Sequence, residues 1–276
     1  MSRVLIAGCG DLGLELARRL VAAGHEVTGL RRSAHPMPDG VQIALADVTR
    51  PETLKSLAAI QPELLVYCVS ASEHSDENYR LSYVEGLRNA LAALQDVPLR
   101  HVFFVSSTGV YGQETQALLD EDNPAIASDF TGQRMLEAEA LLDAYPSSIL
   151  RFSGIYGPGR TRMITLAQKP QQWPARNGWT NRIHRDDGAA FITYLIQQLE
   201  HKVPERLYIV TDNQPLPVYD LLQWLAAKQG VETAAIEIPL AGGNKRLSNQ
   251  RMLASGYQFI YPDYESGYSA LLEAMS

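Results

Sequence analysis

The hexapeptide Gly8-Cys9-Gly10-Asp11-Leu12-Gly13 most narrows what this chain can become. The apolar run Val4-Leu5-Ile6-Ala7 leads into it, and an amphipathic stretch from Leu14 to Ala23 follows. After Gly24, a second apolar run ends in Arg31-Arg32. Strand, glycine turn, helix and second strand, in that order, make the fingerprint of a dinucleotide-binding unit. Gly8 suits the tight turn, Gly10 lets a pyrophosphate approach the backbone, and Gly13 lets the helix pack closely on the strand. The main-chain N–H groups of Asp11, Leu12 and Gly13, at the positive end of the helix dipole, would meet the phosphates.

Arg31 and Arg32 refine the cofactor. An NAD site places an acidic residue about twenty positions on, where it accepts the ribose 2′-hydroxyl. Counted from Gly13, that position falls at Arg31. A carboxylate there would repel a 2′-phosphate, whereas a guanidinium pairs with it bidentately. NADP is therefore expected in preference to NAD. The alternative is a pair of solvated arginines at a strand end.

The first half of the chain alternates strand and helix patterns. Strands are predicted at 3–7, 26–31, 41–46, 64–69, 101–106 and 147–152, several of them short and almost wholly apolar. Such runs suit a parallel sheet covered on both faces. Helices are predicted between them at 11–23, 51–59, 77–94 and 128–144. The expectation is an α/β fold, a Rossmann-type doubly wound parallel sheet with a small C-terminal substrate lobe. Residues 1–155 would form the NADP-binding domain, with returning segments near 184–212. Residues 156–183 and 213–276 would form the lobe, with helices near 186–199 and 218–229 and a strand near 206–211. Ligands of such sheets bind at the carboxyl ends of the strands, which adds Asp47, just after the third strand, to the cofactor set.

Composition removes several classes of function. The chain has 276 residues, 46% hydrophobic and 20% charged, with a net charge of −7. No basic run is present, so a nucleic-acid partner is not expected. The two cysteines, Cys9 and Cys68, suggest neither a disulfide framework nor a metal site. No segment reaches the roughly 20 apolar residues of a membrane span, and the start does not read as a signal peptide. The cytoplasm is the expected compartment, and the oligomeric state is left open.

Later segments carry a family resemblance. Val105-Ser106-Ser107-Thr108-Gly109-Val110-Tyr111-Gly112, Glu121-Asp122-Asn123-Pro124, Arg151 to Gly159, and Ile183-His184-Arg185-Asp186-Asp187 together resemble the extended short-chain dehydrogenase/reductases of the NAD(P)-dependent epimerase/dehydratase superfamily. The resemblance implies a catalytic set of Ser or Thr, Tyr and Lys. It puts the hydroxyl at Ser107, which would hydrogen-bond the reacting substrate oxygen or else satisfy backbone groups at the strand end. The Tyr and Lys positions fall on Phe130 and Arg134, one helical turn apart. Phe130 has no ionisable proton. Arg134 cannot readily exchange one, although it can bind ribose oxygens. The chain thus resembles an atypical subgroup that keeps the cofactor turn and departs from the usual acid/base pair.

Two functions fit this reading. One is an NADP-dependent epimerase, dehydratase or reductase acting on a sugar nucleotide or small carbonyl compound. The other is a non-catalytic NADP(H)-binding sensor or regulatory protein. Tyr111, Tyr156 and His184 are candidate substitutes for the missing acid/base. His184 reads more simply as a polar residue before a helix start, where Asp186 and Asp187 would cap. Arg160, Arg162, Arg176, Arg182 and Arg185, interleaved with Trp173 and Trp179, suit an anionic ligand carrying a flat ring. Arg160, Arg182 and His184 are the candidate substrate-binding residues.

Overall fold

The computed structural model describes residues 1–275. Thirteen strands are present among them: β1 (Arg3–Ala7), β2 (Glu26–Arg31), β3 (Val41–Leu45), β4 (Leu64–Tyr67), β5 (His101–Ser107), β6 (Leu118–Leu119), β7 (Ser147–Phe152), β8 (Gly154–Tyr156), β9 (Trp179–Thr180), β10 (Arg182–His184), β11 (Leu207–Val210), β12 (Leu216–Pro217) and β13 (Arg246–Leu247). The α-helices are α1 (Asp11–Ala22), α2 (Asp76–Tyr79), α3 (Gly86–Ala93), α4 (Phe130–Ala140), α5 (Arg162–Ala167), α6 (Arg185–Gln198), α7 (Val218–Lys228), α8 (Gln250–Ala254) and α9 (Tyr264–Met275).

The principal sheet is parallel and seven-stranded, in the order β11-β7-β5-β4-β1-β2-β3. This is the doubly wound α/β architecture expected from the alternation of elements. Its order reverses between β1 and β4, the switch point at which such sheets bind ligands. Strands β4 and β7 are buried along their whole length, while edge strand β3 is half open to solvent. Helix α1 buries Leu12, Leu16 and Leu20 in one row and Gly13 and Ala17 beside it, so its apolar stripe recurs every fourth residue.

The chain divides into two compact units. Unit 1 comprises residues 1–110, 127–151 and 188–208; unit 2 comprises 111–126, 152–187 and 209–276. Unit 2 has its own core, in which Met163, Ile164 and Ala167 of α5 meet Leu222 and Leu225 of α7, with Trp173, Tyr219 and Tyr268.

Two predicted helices depart from their expected form. Residues 51–59 make two short 3₁₀ turns, Pro51–Thr53 and Leu57–Ile60, instead of an α-helix. Thr53 Oγ1 accepts from Asp47 N and donates to carbonyls of Asp47 and Arg50, so a closed loop competes with the helix. The predicted helix 77–94 is interrupted by a π-helical stretch at Arg80–Glu85. The buried Tyr67 hydroxyl donates to Ser82 O at 2.5 Å within that stretch. A side chain inserted into the helical ladder is a recognised cause of such a bulge.

Candidate functional site

The glycine turn follows β1 at the switch point. Each glycine has its own reason to be there. Gly8 has φ +90°, and a Cβ on it would lie 2.5 Å from Val69 N. A Cβ on Gly13 would lie 2.7 Å from Gly8 O, so α1 reaches the turn only without a side chain there. A Cβ on Gly10 would meet nothing within 4 Å. Gly10 is thus not demanded by protein packing; its bare backbone faces open space. Gly10 is also the N-cap of α1 and supplies no side-chain cap. A pyrophosphate fits this cradle, with the N–H groups of Asp11, Leu12 and Gly13 at the helix start.

Arg31, at the end of β2, donates from Nη1 to Cys9 O at 2.8 Å, which brings its guanidinium against the turn. Arg32 is exposed and has no polar partner among the described residues. Asp47 is committed locally: its Oδ1 accepts from Thr49 N at 2.9 Å and Thr49 Oγ1 at 2.8 Å. The Cys9 and Cys68 thiols are buried, which raises both pKa values, Cys9 to about 11 against a partial offset from Arg31. Both therefore pack as small hydrophobes.

Ser107 ends β5. Its Oγ accepts from Gly109 N at 3.0 Å, an arrangement that leaves the hydroxyl hydrogen available to a further acceptor. Helix α4 starts next to this turn. Asp129 caps it by accepting from Gly132 N, and a Cβ on Gly132 would lie 2.8 Å from Gly109 O. Farther along α4, buried Glu139 accepts from Ser106 Oγ at 2.5 Å and from Arg151 Nη2 at 2.6 Å. This network fixes α4 against β5 and β7.

Phe130 is half-buried in an aromatic group, 5.2 Å from the His74 ring and 5.5 Å from Tyr79, edge-on. Arg134 is a bidentate partner of Asp76, at 2.7 and 3.0 Å, and also donates to Glu137 at 2.7 Å. Hydrogen bonding from Arg134 holds the Asp76 carboxyl below its ordinary pKa. The Arg134 guanidinium is therefore occupied by carboxylates of its own unit.

Unit 2 places the other candidates. Tyr111 is buried and donates to Asp120 O at 3.3 Å. Tyr156 stacks on Tyr268 with ring centroids 4.1 Å apart, and burial raises its pKa far above the usual phenol range. His184 is 2% exposed, lies edge-on to Tyr156, and accepts at Nδ1 from Asp186 N. These contacts hold all three side chains in place, and Tyr156 also lines the cavity of this unit. Asp187 does more than a cap would. Fully buried, it accepts from Tyr257 OH, Ile260 N and Tyr261 N and so anchors the segment before α9. That role is long-range, and no local pattern announced it.

A cavity of about 930 Å³ opens in unit 2, with Arg160, Arg162, Lys169 and Arg182 among its lining residues, beside Tyr156 and Tyr268. Arg176 and Arg185 take other partners: Arg176 approaches Glu114 at 3.5 Å, and Arg185 pairs with Asp186 at 2.8 Å. Trp173 is buried in the core, while Trp179 carries Arg246 over its ring at 4.9 Å. Of the arginine-rich segment, then, three arginines line the cavity. Among the described residues no group of His, Cys, Asp and Glu could hold a metal ion, and no helix is long and apolar enough to cross a membrane.

A doubly wound sheet with an open glycine cradle at its switch point defines a nicotinamide-dinucleotide-binding protein. The chain belongs to the NAD dependent epimerase/dehydratase family, whose model matches residues 4–210. It is similar to a structure from Methylobacillus flagellatus whose assignment as an NAD-dependent epimerase/dehydratase is provisional, with 73% identity, a TM-score of 0.94, and 99% and 98% of the two chains covered. It is 29% identical to a 3-diazoavenalumate denitrifying reductase of a Streptomyces species over 81% of this chain and 79% of that protein. The fold also matches the Bordetella bronchiseptica enzyme WbmG, solved with NAD and UDP, at a TM-score of 0.79 and 16% identity, with 99% and 94% covered.

Proposed function

We propose that this chain is an NADP-linked epimerase, dehydratase or reductase that acts on a sugar nucleotide or small carbonyl compound without the usual Tyr/Lys pair. The observation that carries the reading is the open cradle at Gly10, with Arg31 folded against the same turn. The nicotinamide, when bound, supplies or accepts a hydride. Ser107 donates its free hydroxyl hydrogen to the substrate oxygen and orients the carbon that it bears. Arg31 and Arg32 pair with the 2′-phosphate. Arg160 and Arg182 neutralise an anionic group of the substrate in the unit 2 cavity. The UDP bound by WbmG and the similarity to a 2-alkyl-3-oxoalkanoate reductase of Stenotrophomonas maltophilia, 25% identical over 83% of this chain and 76% of that protein, suggest the two substrate classes.

A positioned acid/base is worth about 10²–10⁴-fold in rate, so turnover by the natural chain should be slow. Phe130→Tyr with Arg134→Lys restores a phenol and an ammonium at the same spacing. The double variant should gain turnover of UDP-glucose with NADP⁺ or of a simple ketone with NADPH, and Ser107→Ala should remove that gain. The second reading, an NADP(H)-binding protein without turnover, draws on the Asp76 and Glu137 carboxylates that occupy Arg134. Normal NADPH binding with no gain in the double variant would favour it.

A further inference from the structure

Unit 2 contains six buried polar atoms with no hydrogen-bond partner among the described residues: Gln113 Oε1 and Arg246 Nε, and the four considered below, Ser153 Oγ, Arg182 Nε, Asp212 Oδ2 and Tyr268 OH. Ser153 is 6% exposed, Asp212 1% and Tyr268 0%. The backbones of Ser153, Arg182 and Asp212 lie on neighbouring segments. Asp212 N donates to Arg182 O at 2.7 Å, Thr211 Oγ1 donates to the same carbonyl at 3.0 Å, and Ser153 N donates to Val210 O at 3.0 Å. Arg182 and Tyr268 both line the cavity. Arg182 lies opposite Gly154 in the β8–β10 pair, and a Cβ at Gly154 would come within 3.1 Å of its Nη1. The missing side chain makes room for the guanidinium.

Buried polar groups are almost always paired. Two donors and a carboxyl left unpaired together mark a place where a ligand supplies the partners. We propose that Arg182, Tyr268 and the acid form of Asp212 bind one oxyanion of the ligand, a phosphoryl or carboxylate group, and that ionisation of Asp212 expels it. This rests on reading the cavity as the ligand site. Arg182 Nε and Tyr268 OH donate to the oxyanion, and a protonated Asp212 adds a third donor. An ionised Asp212 instead turns a negative charge on the anion and claims Arg182 for itself.

The groups that face Asp212 set when this happens. Burial raises its pKa to about 8; the Gln214 N–H opposes the shift, Asp263 before α9 adds to it, Arg182 of β10 opposes it, and Asp187 of α6 adds to it. Tyr156 of β8 and Tyr268 of α9 also interact with it, and burial holds both phenols above their usual range, Tyr268 at about 12. Neither phenol ionises below pH 9.

Sulfate and benzoate keep a fixed charge between pH 7 and pH 9, and they stand for the phosphoryl and the carboxylate source. Calorimetric titration of the whole chain should find one of them bound at pH 7. Its affinity should fall about tenfold by pH 9, as for one group titrating near 8. Asp212→Asn, whose amide stays neutral, should hold the pH 7 affinity at pH 9, and Arg182→Gln should lose binding at both. No binding of either probe at pH 7, a flat wild-type profile, or an unchanged pH dependence in Asp212→Asn would overturn the proposal. Should Asp212→Asn fail to fold, the wild-type series still decides. NADPH titration of the same samples reports on the glycine turn in unit 1. Loss of NADPH binding alone would therefore count against the cofactor reading and leave this one standing.

Discussion

Gly8, Gly10 and Gly13 share one motif but answer to different constraints, and substitution separates them. Gly10→Val puts its side chain into open space, so the melting temperature should stay close to wild type while NADPH affinity is lost. Gly8→Val meets the Cys68–Val69 backbone and requires a positive φ, so it should lower stability as well as binding. Thermal melts paired with fluorescence titration distinguish the two. His101 gives a residue-scale pH prediction. Burial pushes its pKa down to about 4, with Arg206 contributing, and its ring meets Ser148 Oγ at 3.0 Å. The folded state therefore binds fewer protons than the unfolded one between the two pKa values. The stabilisation is complete above the unfolded value of about 6.5 and is lost as pH falls toward 4, by about 3 kcal/mol. Replacing His101 by Phe should flatten the decline of melting temperature over that interval; an equally steep decline would rule out His101 as its source.

Helix α4 shows the element scale most clearly. Its start is set by Asp129 and by the contact of Gly132 with Gly109, and its far end by Glu139. Glu139→Ala would take the carboxylate from the buried Arg151 guanidinium and remove the acceptor of Ser106. Breaking a buried pair from one side costs about 3–5 kcal/mol, a loss that urea unfolding should register. The helix itself was legible at 128–144 in the alternation of strand and helix patterns, but the Ser106–Glu139–Arg151 network joins residues distant in sequence and was not. The same contrast holds for residues 77–94. Their periodicity announces a helix, yet the π-helical stretch comes with a hydroxyl from Tyr67 on another element. Tyr67→Phe should let Ser82 O return to the ladder, and amide exchange across residues 80–86 should change first.

At the scale of the molecule, the parallel sheet and its switch point followed from alternating apolar runs and one glycine turn, because those signals are local. The arginines of unit 2 were legible as a group, whereas their division was not: Arg160, Arg162 and Arg182 line the cavity while Arg176 and Arg185 find carboxylates. Asp212 drew no attention in sequence, since its burial beside Arg182 depends on strands brought together by the fold. Cofactor choice joins the local and global levels, because the sheet aims β2 so that Arg31 reaches the turn after β1. The most direct measurement is a fluorescence titration of the wild-type chain with NADPH and NADH at fixed salt, repeated with Arg31 and Arg32 both replaced by Ala. NADPH should bind the wild type more tightly than NADH, and the double replacement should narrow the gap by weakening NADPH alone. Equal affinities in the wild type, or no binding of either nucleotide, would contradict it.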